Sequence, residues 1–361
     1  MTAPMELREF IQKLDDAHQL RRITREVDWK YEIGDLTRQE LSPLLFENVK
    51  GYPGHTVFTN GLINRAAIAT ALALPPDVAR EDLVRQLRER IEAKPVQPNH
   101  VFGGPVFENA LSGSQVDLFQ LPVPWWNRSD AGRYVGTWHV NISRDPDDGR
   151  YNLGVYRMQV LNRNQATIST SPKSHLGIHF TKAEAQGKPL PAAVVIGVSE
   201  AVFIAAAAGY SGGMDEYELA GALQQCPVSL ATCKTIDLDV PAGAEILLEG
   251  FLHPGVRVLD GPYFDYAGKA TSNPRAYLFE VNRMSFRTNP VFRGALVGHS
   301  AAEDIQLFSI LSEVGLFDFH GSRIRRALQI IFLKNGFFHA FQVVGRLGPS
   351  LFRREKKQSW N

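Results

Sequence analysis

Tyr151-Asn-Leu-Gly-Val-Tyr-Arg-Met-Gln-Val160 is the stretch on which the reading of this chain turns. Its composition predicts a strand, and Asn152, Arg157 and Gln159 interrupt a run that would otherwise be apolar. An arginine in a strand is costly to bury without a partner. Arg157 is therefore either a surface residue on a half-solvated face or the anchor of an anion, and both readings stand at this point. Working outward, Tyr134–Ser143 alternates in the manner of a second strand, and Asp145-Pro-Asp-Asp-Gly149 carries turn chemistry. The two strands and the turn predict a hairpin over 134–161.

On the N-terminal side, Leu7, Phe10, Ile11 and Leu14 fall at helical spacing. Short apolar runs at 20–27, 44–46 and 57–59 read as strands. Residues 64–74 are Ala-rich and stop at Pro75-Pro76, and 81–92 form a charged amphipathic helix. This is an α/β unit, closed by the Pro- and Gly-rich stretch 94–105. On the C-terminal side, 167–177 reads as a polar loop, 192–198 as a strand, 200–208 as a buried Ala-rich helix and 215–223 as a helix with an acidic first turn. Strands follow at 228–248, 277–281 and 291–297, and Gly298-His-Ser300 opens a mostly helical tail.

The chain has 361 residues, 44% apolar and 21% charged, enough for two or three domains of a globular protein. A net charge of +1 gives no global case for nucleic acid or an anionic membrane, and the basic cluster at 353–357 is local. The two cysteines, Cys226 and Cys233, are not in CxxC spacing and read as buried thiols of a reducing compartment. No signal pattern and no apolar run long enough to span a bilayer is found, so a cytoplasmic protein without a membrane span is expected.

His175 and His179 share HxxxH spacing, but Gly177 between them argues against a helix and no Glu follows His175, so a zincin-type site is not expected. His175 can instead be one ligand of a site assembled from distant segments, with Asn152 offering a carbonyl oxygen and Glu216 a carboxylate. One imidazole with hard oxygens suits Mn²⁺ or Mg²⁺ better than structural Zn²⁺. Glu216 also has the simpler reading of a helix-dipole complement. Gly209-Tyr-Ser-Gly-Gly213 matches GxSxG but follows a predicted helix rather than a strand, which opposes a nucleophile elbow. Such a loop brings backbone close to a phosphate or a monovalent ion. Asp260 and Asp265 bracket Gly-Pro-Tyr-Phe: either a turn with a second exposed acid, or a pair in which one acid delivers a proton to carbon beside a cationic partner. No GxGxxG follows a strand, so no Rossmann site is expected.

Taken in order, these residues resemble the UbiD family of prenylated-FMN-dependent decarboxylases. The resemblance runs from about Leu7 to Val297. It rests on Leu44-Leu-Phe-Glu-Asn-Val-Lys-Gly-Tyr52, Leu121-Pro-Val-Pro124, Gly136-Thr137, Asp145-Pro-Asp147, Asn152-Leu-Gly-Val-Tyr-Arg-Met-Gln159, the His175 loop, the Glu216 helix and Asp260-Gly-Pro-Tyr-Phe-Asp265. It implies an α+β fold: an N-terminal α/β domain (1–104), a split β-barrel that binds flavin and metal (105–297) and a partial C-terminal helical segment (298–361). It implies that Asn152, His175 and Glu216 hold Mn²⁺, and that Thr137, Asn152, Val155, Tyr156, Arg157, Ser174 and His175 contact prenylated FMN. Leu153 and Ala205–Ala208 match the segments that hold K⁺ through backbone oxygens. Arg157, Asp260 and Asp265 match the family's Arg–acid–acid trio, with Asp265 as proton donor. Asp260 stands where Glu is common.

The implied activity is reversible, non-oxidative decarboxylation of an aromatic, heteroaromatic or α,β-unsaturated carboxylic acid. A flavin prenyltransferase would supply the cofactor, and the assembly would be a homodimer or higher homo-oligomer. Family members run on past Asn361 into a domain with a Lys near the cofactor phosphate, so this chain is expected to be a shortened form. Two other readings accompany this one: a non-catalytic flavin-binding subunit of a carboxylase or decarboxylase complex, and an ordinary FMN-dependent oxidoreductase.

Overall fold

The computed structural model describes residues 5–208, 215–299 and 301–315. The Gly-rich stretch 209–213, the basic cluster 353–357 and most of the C-terminal segment lie outside the described residues. In chain order the elements are α1 (Leu7–Asp16), β1 (Arg21–Ile23), α2 (Glu32–Gln39), β2 (Leu44–Phe46), β3 (Thr56–Thr59), α3 (Arg65–Ala71) and α4 (Arg80–Glu92). There follow β4 (Asn99–His100), β5 (Asn109–Ser112), β6 (Tyr134–Gly136), β7 (His139–Arg144), β8 (Tyr151–Gly154), β9 (Met158–Gln159) and β10 (Gln165–Ile168). Next come α5 (His175–Ala185), β11 (Leu190–Ile196), α6 (Glu200–Ala208), α7 (Glu216–Gln224), β12 (Ser229–Thr232) and β13 (Asp239–Pro241). The last are β14 (Ile246–Phe264), β15 (Ala270–Phe286), β16 (Val291–Arg293) and α8 (Glu303–Val314).

The fold is mixed α+β. The first sheet has the order β1-β2-β3-β16, so residues 291–293 add a strand parallel to β3. Its helix α1 buries Leu7, Phe10, Ile11 and Leu14, the stripe visible in the sequence. A large sheet has the order β10-β15-β14-β11-β7-β8, with β5 sharing with β10 the edge of β15 that faces away from β14. Its neighbouring strands are antiparallel, and β14 and β15 are long enough to bend at several bulges. The apolar helix α6 is buried, as an Ala-rich helix without a polar face must be.

The hairpin is present, with Ser143 opposite Asn152 and Arg144 opposite Tyr151. Neither of its arms is one strand, however. Residues 134–143 split into β6 and β7 around Thr137-Trp138, and 151–160 split into β8 and β9 around Val155-Tyr156-Arg157. The cause lies in side chains of β7. Asn141 Oδ1 accepts the Tyr156 N–H at 3.1 Å, and His139 Nε2 donates to the Tyr156 carbonyl at 3.0 Å and to Asn141 Oδ1 at 2.9 Å. These contacts replace the ladder bonds that Tyr156 would otherwise make. Burial lowers the His139 imidazole to a pKa of about 4, so the ring is neutral, and its Nε2–H tautomer serves both acceptors.

The expectation that Gly177 opposes a helix is corrected: 175–185 is helix α5. A Cβ at Gly177 would lie 2.2 Å from the Ser171 carbonyl oxygen, so the glycine allows the helix start to pack against the loop before it.

Candidate active site

Arg157 leaves the break between β8 and β9 and meets both acids. Its Nε donates to Asp260 Oδ1 at 2.7 Å, its Nη2 lies 2.6 Å from the same oxygen, and its Nη1 lies 3.7 Å from Asp265 Oδ2. Asp260 is fully buried within β14, so it is not the exposed corner of a turn. Its other oxygen accepts the Thr167 hydroxyl at 2.7 Å. The arginine is thus neither a free surface residue nor an unpaired cation. A buried pair persists only where further hydrogen bonds satisfy it, and Thr167 and Thr271 supply them.

A cavity of about 390 Å³ opens on Arg157 and Asp265. Thr137, Val155, Tyr156, Arg157 and Asp265 line it, together with aromatic residues that include Trp138, Phe203 and Tyr263. Gly154 makes room at its edge, since a Cβ there would lie 2.6 Å from the Tyr156 ring. The cavity is therefore largely apolar, with Arg157 and Asp265 in its wall and Asp260 buried behind the arginine, the usual character of a small-molecule site.

Asn152, Ser174, His175 and Glu216 do not line this cavity. Glu216 lies beside β8, the strand that carries Asn152: its Oε2 accepts the N–H of Leu153 at 3.3 Å. Glu216 opens α7 behind a capping box made by Asp215 and Glu218. It is buried, which a solvated dipole complement would not be, and burial raises its carboxyl to a pKa of about 7. The Asn152 amide nitrogen is buried without a hydrogen-bond partner. Ser174 caps α5 by accepting the Gly177 N–H at 3.1 Å, and His175 is the first, exposed residue of that helix. The Tyr156 hydroxyl joins the two regions. Burial raises its pKa, and Asn152, Ser174 and the Leu176 backbone lie beside it. His179 turns away from this group: it is buried, and its Nδ1 lies 3.0 Å from Ser143 Oγ.

Three further charges were not visible in the sequence. Arg293, fully buried, donates to Glu200 Oε1 at 2.9 Å and to both Glu303 oxygens at 2.6 and 3.0 Å. Trp138 Nε1 donates to the other Glu200 oxygen at 2.9 Å, and Trp138 stacks on Phe203 with centroids 3.9 Å apart. The triad thus supports two rings of the cavity wall. Nothing in the local sequence distinguishes Glu200 or Glu303 from ordinary first-turn acids.

With this geometry in hand, comparison with known proteins identifies the class. The 3-octaprenyl-4-hydroxybenzoate carboxy-lyase Rift-related domain matches residues 99–300, and the N-terminal domain of the same carboxy-lyase matches 11–91. The chain belongs to the UbiD family. It is 34% identical over 305 residues to a phenolic acid decarboxylase of Streptomyces, covering 81% of this chain and 64% of that protein. It is 33% identical over 328 residues to a pyrrole-2-carboxylic acid decarboxylase of Pseudomonas aeruginosa, covering 87% and 66%. Among solved structures it resembles the closed form of the vanillic acid decarboxylase of Sedimentibacter hydroxybenzoicus, with a TM-score of 0.82 at 30% identity over 86% of this chain and 68% of that one. It also resembles an evolved dimeric form of the UbiD-class enzyme HmfF from Pelotomaculum thermopropionicum in complex with prFMN, with a TM-score of 0.78 at 36% identity over 86% and 71%. The chain spans 64% of the length of the Streptomyces relative and 66% of that of the Pseudomonas one. Among the described residues no helix is long and apolar enough to cross a membrane.

Proposed function

We propose that this chain is a carboxy-lyase that removes CO₂, reversibly and without net oxidation, from an aromatic, heteroaromatic or α,β-unsaturated carboxylic acid. The observation that carries the reading is Arg157 held between Asp260 and Asp265 in the wall of an aromatic-lined cavity. Prenylated FMN, when bound, supplies the electron sink for CO₂ loss. The long antiparallel sheet is, on this reading, the split barrel that holds it. Relatives named as decarboxylases of phenolic acids and of pyrrole-2-carboxylic acid support the substrate class.

The residues divide the work. Arg157 attracts the carboxylate and aligns it. Asp260, buried and tied to Thr167, keeps the guanidinium in place. Asp265, at the cavity, gives its proton to the carbon that CO₂ leaves, and the bonding pair stays on that carbon. Trp138, Phe203 and Tyr263 keep water out and present flat apolar surface. Thr137, Val155 and Tyr156 would contact the flavin, as would Ser174 and His175 at the start of α5, where the positive end of the helix dipole suits a phosphate.

Asn152, His175 and Glu216 fit a divalent cation such as Mn²⁺ by their donor chemistry. The buried Glu216 carboxyl is what such an ion would relieve, and Asn152 would offer it the amide oxygen. Leu153 and Ala205–Ala208 remain the proposed K⁺ segments. A flavin prenyltransferase would supply the cofactor. The test is CO₂ release from a panel of such acids by protein loaded with prenylated FMN and Mn²⁺. Turnover of at least one acid is expected, and none across the panel contradicts the proposal.

A further inference from the structure

Two threonines complete the acid pair, each joining an N–H donor to a carboxyl group. Thr271 Oγ1 lies 2.8 Å from Arg157 Nη1 and 2.5 Å from Asp265 Oδ2. A guanidinium only donates. The Thr271 hydroxyl therefore accepts from Arg157, and its own proton remains to be donated to Asp265 whenever that acid is a carboxylate. The same logic holds at the other acid. The Gln159 N–H donates to Thr167 Oγ1 at 2.9 Å, and that hydroxyl donates to Asp260 Oδ2 at 2.7 Å.

The direct distance from Arg157 to Asp265, 3.7 Å, is beyond hydrogen-bond range. The connection between guanidinium and this acid runs through Thr271, whose backbone carbonyl also accepts Arg157 Nη2 at 3.2 Å. The other Asp265 oxygen accepts the Ala267 N–H at 2.9 Å. Asp265 thus has a neighbouring donor at each oxygen.

We infer that Thr271 is a positioning residue that holds Asp265 toward Arg157 and stabilises the carboxylate formed when Asp265 has given up its proton. This rests on the reading of Asp265 as proton donor. In that step the Asp265 O–H bond breaks, a C–H bond forms at the carbon that has lost CO₂, and the new carboxylate oxygen accepts the Thr271 hydroxyl. A hydrogen bond to the charged form is the stronger one, so the contact favours the products of proton delivery over its reactants. Thr167 plays the corresponding positioning part for Asp260.

The experiment compares wild type, Thr271→Val and Thr271→Ser as holoenzymes on one turned-over acid. It also compares crystal structures of the three without cofactor. Thr271→Val should lower kcat about tenfold or more, leave KM within about threefold and raise the solvent deuterium isotope effect on kcat, as expected for loss of a charge-assisted hydrogen bond. Thr271→Ser should restore all three. In the Thr271→Val crystal the Asp265 carboxylate should move from its place beside Arg157, and in Thr271→Ser it should stay. An unchanged kcat and isotope effect in Thr271→Val, or an Asp265 that does not move, overturns the inference. A wild type that turns over no acid contradicts the decarboxylase reading instead, and the crystals still decide whether Thr271 positions Asp265.

Discussion

The Glu216 carboxyl accepts the Leu153 N–H, and its burial raises it from an ordinary 4.5 to about 7. The folded protein therefore keeps that proton up to about pH 7, whereas the unfolded chain releases it above 4.5. Folding is favoured as pH falls through this window, and the burial penalty is full above it. For the metal-free protein we predict that Glu216→Gln is more stable than wild type at pH 8 by roughly 2–4 kcal/mol, and that the gap closes toward pH 4.5. Urea denaturation at the two pH values measures this, and an equal gap at both would remove the argument for an uncompensated acid. At the cavity, Asp265→Asn should lower CO₂ release by about 10²–10⁴-fold, the worth of a positioned acid. Retained flavin in that variant would show that the loss lies in the chemistry. Arg157 stood out as a charge in an otherwise apolar stretch, whereas the acids and the Asn–His–Glu set are each ordinary in their local setting and were singled out because their order resembles one family. Thr167 and Thr271 were not, since a threonine in a strand is ordinary and its value here comes from partners about a hundred residues away.

At the scale of elements, the strand break at Val155-Tyr156-Arg157 aims the arginine, and it is written in β7 rather than in the broken stretch itself. That is why 151–160 read as one strand: alternation reports faces, not the side chains of a neighbour that take over backbone hydrogen bonds. Asn141→Leu removes the acceptor of the Tyr156 N–H and leaves His139 with one acceptor fewer. A loss of about 1–3 kcal/mol is predicted from the unsatisfied buried groups, read as a shift of the urea midpoint, with weaker retention of flavin. An unmoved midpoint would mean that the break does not depend on Asn141. Helix α2 escaped the sequence reading for a related reason. Its buried face is Ile33, Gly34 and Thr37 rather than a leucine stripe, and a Cβ at Gly34 would lie 2.2 Å from the Trp126 carbonyl oxygen. Helices α1, α4 and α6 were legible because apolar spacing or continuous apolarity decides them.

Over the whole molecule, Arg293 links segments distant in sequence. It follows from β16, which pairs with β3, and it meets Glu200 at the start of α6 and Glu303 at the start of α8. Glu303 in turn accepts the N–H groups of Asn60 and Leu62, both at 3.0 Å. Arg293→Met leaves two buried carboxylates without their cation and should cost about 3–5 kcal/mol, seen as an earlier denaturation midpoint and a loosened cavity wall at Trp138. A variant as stable as wild type would show that the triad does not join these parts. Such long-range closure has no local signature, and the resemblance conveyed the architecture without its internal supports.

The central claim is that one site holds a prenylated flavin through Asn152, His175 and Glu216 and acts through Arg157 and Asp265. Its most direct test is mass spectrometry of the small molecules released from protein co-expressed with a flavin prenyltransferase, wild type against Glu216→Ala. The account predicts prenylated FMN from wild type and its loss from the variant. No flavin from wild type, or equal amounts from both, would contradict it.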